Sequence, residues 1–351
     1  MNKRLYNLDY LRGLAALGIM LYHYLSWTFP RGTFTSQTFI GRVGVYGVSM
    51  FYVLSGLTLF YVYFNKMSPS KIDVIDFMKK RFFRIFPLLW IATITAIVLE
   101  GPVPDIITLI LNLTGLFGII RWNAAIATGA WSIGNELTFY LFFPFFILFI
   151  KKSKILFIIL SILIFMIYLY YAFIVLDKNI SLDEQWHNYT NPLNQLFLFL
   201  GGFLIGLLFR NVKIKFTPNM LILICGASLF IFFPVNGDEV QLVTGVNRLI
   251  FTLSCFFICF SFYKLKFQLL LFFHKPFILL GEASYSVYLL HPLVYKFIGN
   301  ISSFAATYHF HVREYIRFPL SVISTLIISY WVYEFYEKYF MQIGKRKIAG
   351  Y

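Results

Sequence analysis

Charge is scarce in this chain. Of its 351 residues only 13% are charged, while 59% are hydrophobic; a soluble domain carries about a quarter charged residues. One soluble core is excluded, because runs of roughly 18 or more apolar residues, enough to cross a hydrocarbon layer of about 30 Å, recur from end to end. Cysteine is scarcer still. Cys225, Cys255 and Cys259 stand inside apolar runs, which excludes the disulfide framework of a secreted domain and leaves them as packing residues. Acidic residues number 15 against 30 Lys and Arg, for a net charge of +15. In a soluble protein that balance would suggest nucleic acid, but the basic residues stand between the apolar runs. Lys3 and Arg4, the cluster from Lys66 to Arg84, Lys151, Lys152 and Lys154, Arg210, Lys213 and Lys215, Lys264, Lys266 and Lys275, and Lys345 to Lys347 occupy alternate loops. This positive-inside pattern places those loops in the cytosol, makes membrane lipid the partner and leaves no role for nucleic acid. No cleavable leader is expected, since the first apolar stretch holds Arg12 and His23 and lacks a small-residue cleavage site.

The fold class expected is all-α, a polytopic transmembrane bundle of about ten spans near 11–29, 43–64, 86–101, 131–150, 154–176, 193–210, 218–234, 246–263, 277–299 and 315–338. An even number puts both termini in the cytosol and residues 30–42, 102–130, 177–192, 235–245 and 300–314 outside. Asp105–Ile120 is apolar but about 16 residues long; it reads as a short re-entrant or interfacial helix, a form tolerated only where protein or water covers it. Residues 1–351 form one membrane-embedded unit with no appended soluble domain expected, and the sequence leaves the oligomeric state open.

Ionisable groups inside a bilayer cost at least about 2.5–3.5 kcal/mol each, so they pair, face a cavity or serve function. Four clusters qualify. Arg12 and His23 are eleven residues apart, three turns plus about 20°, and share one face with roughly 16 Å of rise between them. His23 suits a general base for an attacking hydroxyl, although a histidine bonded between helices and a snorkelling arginine would look alike. Arg81 and Arg84, with Lys80 beside them, form a fork suited to a phosphate or a basic patch on anionic lipid. Trp131, Ser132, Glu136 and Tyr140 make a polar stripe at four-residue spacing, fit to hold a sugar; alternatively Glu136 pairs with a buried arginine. Ser284, Tyr288 and His291 share another face, a second wall of the same cavity, unless Pro292 only kinks the helix and His291 satisfies freed carbonyls. His309 and His311 lack partners at metal-ligand spacing, so no metal is expected. Gly201 and Gly202 suggest close helix packing.

Taken together, Leu8-Asp9-Tyr10-Leu11-Arg12-Gly13 followed by His23, Gly47 to Gly56, Arg81-x-x-Arg84-Ile-x-Pro87, Trp131-Ser132-x-x-x-Glu136-x-x-x-Tyr140 and Ser284-Tyr285-Ser286-x-Tyr288-Leu-x-His291 resemble the acyltransferase-3 family of membrane O-acyltransferases over nearly the whole chain. The resemblance implies ten core helices and transfer of an acetyl or similar group from acyl-coenzyme A to a cell-surface carbohydrate or glycolipid such as O-antigen, exopolysaccharide or peptidoglycan. It implies an essential pair at Arg12 and His23 and importance for Arg81 and Arg84. Two departures stand out: Glu337-Lys338-Tyr339 lacks the proline that often follows such a glutamate, and Asn135-Glu136 replaces a Glu-Glu pair.

The expectation is therefore an O-acetyltransferase with catalytic His23 and Arg12, donor phosphates on Arg81, Arg84 and Lys80, and the acceptor on Trp131, Ser132, Glu136, Tyr140, Ser284, Tyr288 and His291. Acyl-coenzyme A is its co-substrate, and no tightly bound cofactor is expected. His23 acts as base, or as nucleophile through an acyl-histidine. The rival reading is a saccharide or lipid transporter or flippase, whose usual inverted repeats are not visible in the sequence. The location expected is the cytoplasmic membrane.

Overall fold

A computed structural model describes residues 4–30, 32–68, 70–101, 103–266, 269–309 and 313–346, the side chains of Glu100 and Leu271 excepted. All regular structure among the described residues is helical. In chain order the helices are α1 (Tyr6–Thr28), α2 (Phe39–Tyr63), α3 (Lys71–Glu100), α4 (Ile106–Thr114), α5 (Phe117–Ile120), α6 (Ala130–Lys152), α7 (Lys154–Tyr170), α8 (Trp186–Tyr189), α9 (Pro192–Phe209), α10 (Phe216–Phe232), α11 (Val240–Val243), α12 (Gly245–Lys264), α13 (Leu271–Glu282), α14 (Ser284–Ala306), α15 (Glu314–Trp331) and α16 (Lys338–Lys345). Wider π-helical turns continue α7 over Tyr171–Val175 and join α15 to α16 over Val332–Glu337.

Local chemistry sets several helix starts. Thr38 accepts from the Gly41 N–H, Ser70 from Asp73, Asp105 from Thr108, and Asn191 from Leu193 with Pro192 in the first helical position. Each satisfies a donor that the first helical turn leaves bare.

Among the described residues seven helices are long and apolar enough to cross a membrane: Phe39–Tyr63, Lys71–Leu99, Ala130–Lys152, Lys154–Val175, Trp186–Phe209, Gly245–Lys264 and Glu314–Lys345. The α13–α14 pair, over the span expected at 277–299, makes an eighth if taken as one span and bends by 72° at Ala283. Gly281 sits there against the Asp9 backbone of α1 without room for a Cβ, and this contact holds α13 across α1. The expected spans 11–29 and 218–234 correspond to α1, which carries Asp9, Arg12 and His23, and to α10, of 17 residues. Asp105–Ile120 forms α4 and α5, too short to cross, with Gly115 between them in the left-handed region at φ 74°.

The largest fully buried side chains are aromatic. Phe77, Phe139, Phe143, Phe146, Phe199 and Phe203 are fully buried; the Phe77–Phe143 and Phe139–Phe199 ring centroids lie 5.0 and 5.3 Å apart, in the range of favourable ring pairs. Helices α2 and α9 cross closely because Gly56 faces the Phe199 carbonyl and Gly202 the Val53 carbonyl, where any side chain would overlap backbone. That is the small-residue packing expected of Gly202. Cys255 and Cys259 are buried and Cys225 is exposed, all as free thiols. Helices α7 and α15 present apolar residues outward, among them Ile155, Ile159, Ile162, Ile323 and Ile327, as lipid-facing helices do. Helix α1 lies inside the bundle, flanked by α2, α12, α13, α14 and α15.

Candidate active site

Three cavities lie in series along α1, α2 and α14. The first, of about 450 Å³, is lined by Arg4, Asp9, Arg12, Thr58, Lys66, Arg84, Glu282 and Glu337. The second, of about 100 Å³, shares Arg12, Thr58 and Arg84 with the first and adds Ser55, Arg81, Ser132, Glu136, Tyr140, Ser284, Tyr285 and Tyr288. The third, of about 650 Å³, shares Val48 and Tyr288 with the second and holds His23, Trp27, Trp131, Trp186, Tyr189, Asp183, Asp238 and Glu239. We term them the arginine, middle and histidine cavities.

In the arginine cavity Arg4 reaches Asp9 at 2.9 Å and Glu282 at 2.6 Å. Arg12 is held by Asp9 at 3.5 Å and by donating to Thr58 Oγ1 at 2.7 Å. These partners aim the guanidinium along α2 at the junction of two cavities. Arg84 has no hydrogen-bond or ion-pair partner among the described residues, yet it lines both cavities. Glu337, buried on the π-helical turn, accepts from Ser286.

Arg81 lies in the middle cavity among the rings of Tyr63, Phe77 and Tyr140, 5.7–5.8 Å from their centroids, and donates to Tyr63 Oη at 3.3 Å. Glu136 has no direct partner among the described residues, although its charge acts on both Arg12 and Arg81. The pairing with a buried arginine considered for Glu136 is therefore electrostatic and not a contact. The wall toward the histidine cavity is Tyr288, which donates to the Gly129 carbonyl at 3.1 Å and lies 2.8 Å from Ser132 Oγ.

Beyond that wall His23 stacks on Trp27, with 5.2 Å between centroids, and its Nδ1 lies 3.0 Å from His291 Nε2. Three carboxylates line this cavity and no Lys or Arg does among the described residues. Burial pushes the Glu239 carboxyl up, and neighbouring Asp238 and Asp183 push the same way; all three lie outside the long helices. Trp131, Trp186 and Tyr189 form a ring cluster on one side, with centroids 5.3–5.8 Å apart.

The expected site residues thus come together in part. Arg12, Arg81 and Arg84 converge, but Lys80 pairs with Asp76 at 2.5 Å and lines none of the three cavities. It stands one helical turn before Arg84 on the same side of α3, but its ammonium is engaged by Asp76. The stripe assigned to the acceptor divides by depth. Trp131 reaches the histidine cavity, whereas Ser132, Glu136, Tyr140 and Ser284 line the middle cavity with the arginines. Nine residues of helix rise about 13.5 Å, so Trp131 and Tyr140 cannot meet one ligand at one level. His291, expected on the acceptor wall, is only 1% exposed, lines none of the three cavities and lies behind His23. No three-residue cluster of His, Cys, Asp or Glu among the described residues could hold a metal; His311 lies outside the described residues.

Sequence reasoning missed Thr58, Lys66 and Glu337. A carboxylate inside the last apolar run was a readable signal for Glu337; Thr58 offered none.

The family model described as an acyltransferase domain matches residues 5–334. No curated protein and no solved structure matches significantly. The matched segment holds α1 through the π-helical turn after α15, and with it the residues named above in all three cavities save Arg4 and Glu337. The chain therefore belongs to the acyltransferase-3 family and is an integral membrane acyltransferase.

Proposed function

We propose that the enzyme carries an acetyl or similar short acyl group from acyl-coenzyme A to a hydroxyl of a cell-surface carbohydrate, such as O-antigen, exopolysaccharide or a related glycolipid. The observation that carries this reading is the series of cavities with unpaired Arg84 near one end and His23 with stacked rings at the other. Anionic phosphates suit Arg84, Lys66 and Arg81, since guanidinium groups bind their oxygens in pairs. The middle cavity, about 100 Å³, is narrow and suits a linear thioester arm. Sugars stack on indole and phenol rings, which the histidine cavity supplies. Its carboxylates repel acidic sugars, so the acceptor class is neutral or amine-bearing.

In this scheme the acceptor hydroxyl gives its proton to His23 while its oxygen attacks the thioester carbonyl. The carbon–sulfur bond then breaks, and the thiolate takes the proton, leaving an ester and free coenzyme A. Arg12 anchors the donor at the junction of the arginine and middle cavities. The basic loops put the arginine cavity on the cytosolic side of the cytoplasmic membrane with both termini, and α1 and α10 complete ten spans.

The test is His23→Ala in membranes supplied with labelled acetyl-coenzyme A. Loss of a general base costs about 10²–10⁴-fold, so ester formation should fall by at least about 10²-fold while the protein remains folded. Full activity would remove His23 from the mechanism. Cavities in series also suit a carrier, which is the second reading; a carrier predicts that surface polymer itself disappears on deletion, whereas the enzyme predicts intact polymer lacking ester groups.

A further inference from the structure

We infer that His291 is a positioning residue that fixes the tautomer of His23, leaving His23 Nε2 bare toward the histidine cavity. The inference rests on the reading of His23 as the base and deepens it.

The argument is an accounting of protons. His291 Nδ1 lies 3.2 Å from the Val287 carbonyl oxygen, and a carbonyl can only accept. Nδ1 of His291 therefore carries that ring's proton, and its Nε2 offers a lone pair. That lone pair lies 3.0 Å from His23 Nδ1. No carboxylate pairs with either ring among the described residues to hold a second proton, so His23 Nδ1–H donates and the His23 proton sits there. Its Nε2 is left unprotonated, on a side chain that lines the cavity.

The assembly is braced on both sides. Tyr24 donates to the His291 carbonyl at 2.8 Å, and the Tyr24 hydroxyl lies 2.6 Å from Thr325 Oγ1. The His23 and His291 ring centroids lie 5.1 Å apart with 20° between planes, the near-coplanar arrangement that a bond between ring nitrogens needs, and this removes rotational freedom from His23. When Nε2 takes a proton, the His23 imidazolium keeps its Nδ1–H bond to a neutral acceptor. Which nitrogen of a histidine is free is set by the bond the other makes, and a base held in the wrong tautomer loses most of its rate.

Nitrogen-15 NMR of histidine-labelled full-length protein in nanodiscs tests the tautomer directly. His23 should show a protonated Nδ1 and a bare Nε2, assigned by its absence in His23→Ala. His291→Ala should yield a mixture of tautomers, and His291→Gln, whose amide oxygen can accept from Nδ1–H, should restore the single form. In membranes with acetyl-coenzyme A as donor, His291→Ala should lower kcat about 10²-fold with KM for acetyl-coenzyme A unchanged, and His291→Gln should recover to within about tenfold of wild type. A proton on Nε2 of His23 in the wild type, or equal losses in the Ala and Gln variants, would overturn the inference. Activity in His23→Ala would instead overturn the reading beneath it and leave the tautomer result standing.

Discussion

Arg42 and Arg84 both stand inside long apolar helices, and their surroundings are opposites. Arg42, 3% exposed, donates to the Ser36 carbonyl at 2.8 Å, to Phe230 and Ile231 at 2.9 and 2.7 Å, and to Phe233 at 2.8 Å. Three of those carbonyls end α10, where no further helical N–H can reach them, and a cation also suits the negative end of the helix dipole. Arg84 has none of this among the described residues and faces open volume. Intramembrane charge alone therefore does not mark function. The number of protein partners does, because a guanidinium left without them must find its partners in water or a ligand.

That contrast sets the expected order of effects. Arg42→Met removes several charge-assisted bonds worth about 1.5–3 kcal/mol each and bares the carbonyls they satisfied, so stability should fall by at least about 3 kcal/mol. Thermal unfolding in detergent would read this as a lower midpoint, and any protein that does fold should turn over normally. Arg84→Met should do the reverse. Turnover should drop by about 10²–10³-fold, the scale seen when one aimed donor is removed from charged oxygens, while the unfolding midpoint holds or rises. A lower midpoint in that variant would show that Arg84 is structural after all. Lys80→Ala sharpens the comparison from below. Its pair with Asp76 is a half-buried four-residue helix pair of a type worth about 0.3–0.5 kcal/mol, so both turnover and midpoint should stay near wild type, and a large loss of turnover would put Lys80 in the donor site.

The polar clusters that line the cavities were legible because each breaks an apolar run, and their order along the chain carried the family. Depth and partners were not legible. Helical arithmetic puts Arg12 and His23 on one face, yet the rise between them sends each into a different cavity. Arg42 stood at the edge of a stretch read as an external loop and proved to lie in the first turn of α2. Arg248, buried at the start of α12 with its Nη2 donating to the Asn194 carbonyl at 2.8 Å, was equally silent, because its acceptor is backbone and leaves no trace in composition. The bend at Ala283 has no proline at the break; beside it Gly281 meets the Asp9 backbone of α1 too closely for a Cβ, a contact between segments far apart in sequence.

The Tyr288 partition has a consequence for the cell as well as for the reaction. A crevice open from face to face would let protons and ions run down the gradient that the membrane exists to store. With its hydroxyl tied to Gly129 and Ser132, Tyr288 stands between the middle and histidine cavities, so any such leak would have to pass a bonded ring and not open volume.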